Sequence, residues 1–186
     1  MSPSLAIRIN AAGLLIISGV LLGAYYVQFF MGEFPCPLCL LQRLGMLGVA
    51  FGALLNLRYG LRPAHYGVSL ISAVFGACVS VRQILLYIVP GTGASGYGSS
   101  VFGLHLYTWA FIVFSVAILL IAIMMLFDKQ FEDKAQTDTS HCQTKLIHSL
   151  SILLVLIAAA NVLTTYLECG PGQCPANPVS YIELGK

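Results

Sequence analysis

The stretch FPCPLCLLQR, residues 34–43, holds the residues best suited to chemistry. Cys36 and Cys39 stand two residues apart, and Arg43 follows four residues after the second thiol. Pro37 suits the first turn of a helix, where no backbone N–H is needed. A helix therefore begins inside the motif and places Cys39 in its first turn. There it lies beside unpaired N–H groups and the positive end of the helix dipole. Such a position favours the thiolate, the nucleophilic form. Arg43 falls on the same helix face, about 6 Å along the axis. It adds a cation for the thiolate and N–H donors for a ligand carbonyl lying beside the sulfur. Two other readings compete: a structural staple with Arg43 snorkelling to the headgroups, and a zinc site completed by other cysteines. A disulfide over so short a loop stabilises little, because the effect grows with loop length. The expected reading is redox.

A second pair, Cys169 and Cys174, lies in ECGPGQCP near the C-terminus. Glycine and proline supply turn chemistry there. The expectation is an exposed disulfide on a loosely held tail, able to exchange with a soluble partner or to fold back on the first pair. The bland alternative is a bridge that only ties the tail. Of the six cysteines, two remain single. Cys78 reads as a small buried apolar side chain. Cys142 has His141 and His148 nearby, but the three are scattered and no metal is expected.

The elements that must position these residues follow from composition. The chain has 186 residues, 58% of them hydrophobic and only 9% charged, with a mean hydropathy of +0.87. A soluble domain carries about 25% charged residues. This chain has too few to cover a wet surface, so it is an integral membrane protein. No Lys/Arg-rich run exists to neutralise a phosphate backbone, which sets nucleic-acid binding aside. Five stretches approach the ~20 apolar residues of a membrane helix: Ala11 to Met31, Leu38 to Leu57, Tyr66 to Val89, Leu104 to Phe127, and Leu146 to Leu167. The first reads as an uncleaved helix, because its apolar run continues through YYVQFFM. With a cytoplasmic N-terminus, Arg8, Arg58, Arg62, Lys129, Lys134 and Lys145 all fall inside, as the positive-inside rule requires. Both cysteine pairs then face outside, where disulfides persist in a bacterial periplasm. The expected architecture is one all-α domain. A four-helix bundle is joined by a fifth transmembrane helix, and residues 168–186 form a periplasmic tail.

Gln28, Gln42, Arg43, Arg82 and Gln83 fall at similar depth near the first pair. Charged groups in a membrane segment are costly and usually face a cavity or a partner. With Phe29, Phe30 and Phe34 as walls, they predict a pocket for an amphipathic, carbonyl-bearing ligand. Interfacial snorkelling is the competing reading, above all for Arg82. GLHLYTW, residues 103–109, opens the fourth helix on the same side, and Tyr107 and Trp109 fit an aromatic belt. His105 is a candidate proton carrier there.

YVQFFMGEFPCPLCLLQRLGMLG resembles the disulfide bond formation protein B family, bacterial inner-membrane thiol oxidases that pass electrons to quinone. The family's glutamine, P-C-x-x-C motif and following arginine are matched by Gln28, Pro35, Cys36, Cys39 and Arg43. GLHLYTW is similar to the start of the family's fourth helix, so the likeness covers roughly residues 10–128. Arg82 and Gln83 occupy the position of a residue pair that contributes to the family's quinone site. The resemblance implies a relay. A DsbA-like periplasmic thioredoxin-fold protein reduces Cys169–Cys174, these thiols reduce Cys36–Cys39, and Cys39 delivers electrons to ubiquinone or menaquinone. Gln28, Arg43, Arg82, Gln83 and His105 are the implied quinone-binding residues. The chain departs from the pattern in one respect. The better-known members have four helices and carry the second pair between the third and fourth. Here that loop has no cysteine, and the pair follows a fifth helix. A vitamin K epoxide reductase-like enzyme and a scaffold with structural disulfides are the rival readings.

Overall fold

The computed structural model describes residues 2–88, 96–132, 141–175, 178 and 180–184, the side chains of 132, 141–143 and 184 excepted. Its elements are α1 (Pro3–Phe30), α2 (Pro37–Tyr59), α3 (Pro63–Ile88), a two-residue ladder of β1 (Ser100–Val101) and β2 (Leu104–His105), α4 (Leu106–Met125), a short α5 (Lys129–Glu132), α6 (His141–Cys169) and a 3-10 turn (Ile182–Leu184). The five long helices are each long and apolar enough to cross a membrane. The chain is an all-α polytopic membrane protein.

Helix starts are set by proline. Pro3, Pro37 and Pro63 open α1, α2 and α3, because the ring presets φ and its missing N–H costs nothing in a first turn. α1 consequently begins at Pro3 rather than Ala11, and Asn10 is buried inside it through hydrogen bonds. α2 stops at Gly60, whose φ of +86° a side chain would resist.

α2 is the central helix. It packs against α3, α1 and α6, while α3 packs against α4. Small residues bring α2 and α3 together: a Cβ added at Gly48 would strike Ser72, and one at Gly52 would strike Ser69. Close backbone approach over small residues is how membrane helices associate without a hydrophobic drive between them. Phe114 of α4 fills the space over Gly76 and joins Leu14, Leu21, Met46, Ala50, Ala73 and Leu154 in the main core. Large apolar side chains on the outer faces, such as Ile16, Ile71, Leu119 and Val162, remain exposed. Cys78 belongs with them: it is exposed on α3, not buried as its apolar surroundings suggest. In a membrane protein an apolar sequence environment marks the lipid face as readily as the core. The side chains of His141 and Cys142 lie outside the described residues.

A second polar cluster joins the ends of α1, α2 and α3 remote from Cys36 and Cys39. Asn10 Nδ2 donates to the Tyr66 hydroxyl at 2.8 Å. Asn56 Nδ2 donates to Asn10 Oδ1 at 3.0 Å. The Tyr66 hydroxyl donates to Gln130 Oε1 of α5 at 3.4 Å, and Gln130 Nε2 donates to the Met124 carbonyl. All four side chains are buried.

Candidate active site: a cysteine pair beside an apolar cavity

Cys36 is the N-cap of α2, and its sulfur accepts the Cys39 backbone N–H at 3.2 Å. The first cysteine thus satisfies one of the orphan donors at the helix end. Pro37 at the next position fixes the turn, and Cys39 completes it. Both thiols are free in this structure. Gln83, fully buried on α3, holds the pair from the other side. Its Nε2 donates to Cys36 Sγ at 3.2 Å and to Cys39 Sγ at 3.5 Å. Gln42 Nε2 donates to Gln83 Oε1 at 2.9 Å, which fixes the orientation of that amide. The Cys36 thiol is pushed well above its ordinary range, first by its hydrogen bond with Cys39 and then by burial.

Arg43 is buried one turn beyond Cys39. Its Nη1 donates to Gln28 Oε1 at 2.6 Å and its Nη2 to the Ala24 carbonyl at 3.2 Å. The guanidinium also lies 4.8 Å from the Tyr25 ring centroid. Every one of these partners is on α1, so Arg43 ties α2 to α1 at the level of the thiols. A cation so desolvated needs partners, and Gln28 is the nearest. Gln28 Nε2 in turn donates to the Tyr181 hydroxyl of the C-terminal segment at 3.1 Å.

A cavity of about 430 Å³ opens between α1, α2 and α4. Cys39, Gln42 and Arg43 contribute its polar wall, while Val27, Phe34, Met46, Tyr107, Trp109 and Val113 supply apolar surface. The loop before α4 closes one side. The Tyr97 hydroxyl donates to the Phe34 carbonyl at 2.8 Å, the Ser99 N–H to Glu33 at 3.0 Å, and the Trp109 indole to the Val101 carbonyl at 2.9 Å. Burial raises the Tyr97 hydroxyl above its usual range.

Cys36, Cys39, Arg43, Gln28 and Gln83 are therefore brought together. Gln83 acts on the sulfurs rather than on the cavity. Arg82, its neighbour, is exposed on the outer face of α3 and does not line the cavity. His105 caps α4, stacks on Tyr107 with centroids 5.3 Å apart, and meets the Gly98 carbonyl at 3.2 Å. His105 likewise does not line the cavity, although its stacking partner Tyr107 does.

Cys169 and Cys174 are joined in a disulfide. Contrary to the expected exposed pair on a loose tail, Cys169 is buried in the last turn of α6. Gly170, with φ of +61°, ends the helix by donating its N–H to the Tyr166 carbonyl at 2.7 Å. The tail then folds back. Its 3-10 turn packs on α6, and Tyr181 meets Phe34 edge-on at 4.9 Å. Phe34 and Tyr181 are remote in sequence, and nothing in the composition of a Gly/Pro-rich tail announces that contact.

Sequence reasoning also missed Glu168. It is 1% exposed, within electrostatic reach of Arg43 and Cys39, and its Oε2 has no hydrogen-bond partner among the described residues. The available signal was a carboxylate closing an apolar span immediately before Cys169, since ionisable groups at membrane depth are functional by default.

Fold and site together define a polytopic membrane protein with a Cys-x-x-Cys pair set beside an arginine and an apolar cavity. The comparisons with known proteins support one family for this class. Residues 7–92, a little under half of the chain, match the family model for disulfide bond formation protein DsbB, a stretch that spans most of α1, all of α2 and α3, and the first cysteine pair. The chain is 38% identical over 91 residues to a disulfide bond formation protein B of Marinobacter nauticus, covering 47% of this chain and 54% of that one. The corresponding protein of Chromobacterium violaceum is 36% identical, over 44% of this chain and 54% of its own. That of Xanthomonas euvesicatoria is 37% identical, over 46% and 53%. The chain spans about half the length of the curated relatives it matches. The family match stops at residue 92, short of the 128 that the sequence resemblance reaches, so α4, α6 and Cys169–Cys174 lie beyond it. No solved structure matches the chain.

Proposed function

We propose that this chain is an inner-membrane thiol oxidase. It takes electrons from a periplasmic thioredoxin-fold dithiol of the DsbA type and passes them to a membrane quinone. The observation that carries the reading is the shared cavity. Cys39, the thiol one turn from a buried cation, opens with Arg43 onto an apolar space between α1, α2 and α4. Apolar walls with one charged donor and one sulfur suit a ring bearing carbonyl oxygens. When bound, a quinone supplies a two-electron, two-proton acceptor.

The chain's own residues do the rest. A thiolate of the reduced partner attacks Cys169–Cys174 and leaves through a mixed disulfide. The two tail thiols then reduce Cys36–Cys39. Gln83 holds both sulfurs of that pair in place, and Cys36 stays protonated while Cys39 is the thiol that reacts. Arg43, fixed by Gln28 and Ala24, lines the cavity and keeps further N–H groups to donate. Phe34, Tyr97 and the loop before α4 exclude water from it. The cations Arg58, Arg62 and Lys129 lie at the helix ends remote from the cysteines, which supports a cytoplasmic N-terminus and a periplasmic active site.

The test is quinol formation by the purified protein, driven either by a reduced thioredoxin-fold protein or by dithiothreitol. Cys169→Ser should block the protein-driven reaction and spare the small dithiol. Full protein-driven turnover without Cys169 and Cys174 would overturn the relay.

A further inference from the structure

Glu168 is a buried carboxylate for which the relay as described has no use. It lies in the last turn of α6 and directly precedes Cys169, and the tail that follows returns to α6, to Gln28 and to Phe34. Burying a carboxylate without full hydrogen bonding is expensive. A structural role would show itself in partners, as the Asn10–Asn56–Tyr66–Gln130 cluster does. Glu168 Oε2 has none among the described residues. Instead it has, within electrostatic reach, a thiol of one pair and the cation beside it, and it is the sequence neighbour of a thiol of the other pair.

Electron transfer between the pairs moves protons as well, which such a group can carry. The tail dithiol becomes a disulfide and the Cys36–Cys39 disulfide becomes a dithiol. One S–S bond forms and one breaks, and two electrons and two protons cross. Thiolates, not thiols, attack disulfides, and the displaced sulfur must be reprotonated.

We propose that Glu168 is the proton carrier between the two cysteine pairs. It accepts the proton of the tail thiol that attacks and gives it to the sulfur displaced from the first pair. It repeats the exchange as the second tail thiol resolves the mixed disulfide. No further oxidant or reductant is required. The inference rests on the relay proposed above.

Arg43 and Cys39 of α2 and Tyr97 of the loop before α4 lie within electrostatic reach of Glu168; Tyr25 of α1 and Tyr181 of the tail face Arg43, and Glu183 of the tail lies against Gly170. Arg43 stays cationic. Glu168 accepts a proton only when ionised, so the inter-pair rate rises with pH as Glu168 ionises. The thiols add their own rise at higher pH.

The experiment starts from fully reduced protein mixed rapidly with excess short-chain ubiquinone analogue. Quinone absorbance is followed, and acid quench with alkylation reads the redox state of each pair by mass. Two quinones are reduced per chain: a first phase oxidises Cys36/Cys39, and a second drains Cys169/Cys174 through them. Glu168→Gln should leave the first phase within twofold and slow the second about 100-fold, at the low end of general acid–base effects. It should also erase the lower-pH limb while keeping the thiol limb. Glu168→Asp should restore at least a tenth of the second phase, with that limb present. The proposal is overturned by a second phase within twofold of wild type, or by both phases slowing together with a raised quinone KM, which would make Glu168 a counter-ion of Arg43. If Glu168→Gln does not fold, Glu168→Met is read in its place, and a second phase within twofold of wild type overturns the proposal equally. A wild type with no first phase removes the thiol–quinone reading itself, a result distinct from loss of the second phase alone.

Discussion

Two buried polar clusters sit at opposite ends of α1 and α2, and they are built to different rules. At the remote end, Asn10, Asn56, Tyr66 and Gln130 bond to one another and to backbone carbonyls. No side-chain atom of those four residues is left unpaired, and no thiol is present among them. At the other end, Gln28, Gln42, Arg43 and Gln83 surround two free thiols, a cavity opens beside them, and a carboxylate oxygen lies unpaired nearby. A satisfied network rigidifies, because every alternative arrangement loses hydrogen bonds. An incompletely satisfied one stores its capacity for something that comes and goes. The difference locates chemistry in a chain where composition alone would predict only helix packing.

Breaking the open cluster should have the largest effect. Cys36→Ser or Cys39→Ser removes the electron path, and quinol formation should fall by at least 10³-fold without loss of the folded state. Arg43→His comes next: it withdraws the fork that Gln28 and Ala24 orient, and should raise the quinone KM about tenfold or more, in line with the ~1.4 kcal/mol that a tenfold change represents. An unchanged KM would remove Arg43 from the cavity's function. Gln83→Leu deletes the donor to both sulfurs, and should lower turnover several-fold with the quinone KM little altered.

Breaking the closed cluster should do the reverse. Asn56→Leu leaves Asn10 Oδ1 and the Arg62 backbone N–H without their partner. The expected cost is about 1–3 kcal/mol of stability, read as a lower melting temperature in detergent, while turnover of the remaining folded protein stays within twofold. A loss of turnover matching that of Arg43→His would erase the distinction between the two ends. The smallest effect sharpens the thiol pair itself. Because Cys36 is raised above the ordinary thiol range, it is protonated at pH 7–9 and reacts only as pH climbs further. Peptide-resolved alkylation with iodoacetamide at pH 8 should label Cys39 and spare Cys36, and the contrast should shrink at higher pH.

Much of the open cluster was legible beforehand because it obeys local rules. Pro37, Cys39 and Arg43 are related by helical spacing, and one turn of helix is enough to place them. Gln28 and Gln83 were legible as polar groups at matching depth, although depth could not say that Gln83 would hold sulfur and Gln28 would hold Arg43. Arg82 shows the limit of that argument. It shares the depth of Gln83 but lies about a third of a turn round α3, on the exposed face, and only the rotation of the helix against α2 decides between them. The buried position of Cys169, the contact of Tyr181 with Gln28, and Glu168 all depend on the tail folding back across the bundle. That return is a long-range packing event with no period or spacing to announce it. The closed cluster escaped notice for the same reason: Asn10, Asn56, Tyr66 and Gln130 come from four elements, and each alone reads as an ordinary polar residue near a helix end.

The central claim is that Cys39 meets a quinone beside Arg43. It is tested most directly in lipid discs containing ubiquinone, with dithiothreitol as the only reductant, by following quinone absorbance. Wild type should reduce the quinone catalytically, over many turnovers per chain, and Cys39→Ser should do so no faster than protein-free discs. Turnover by Cys39→Ser equal to wild type, or none by the wild type, would contradict the account.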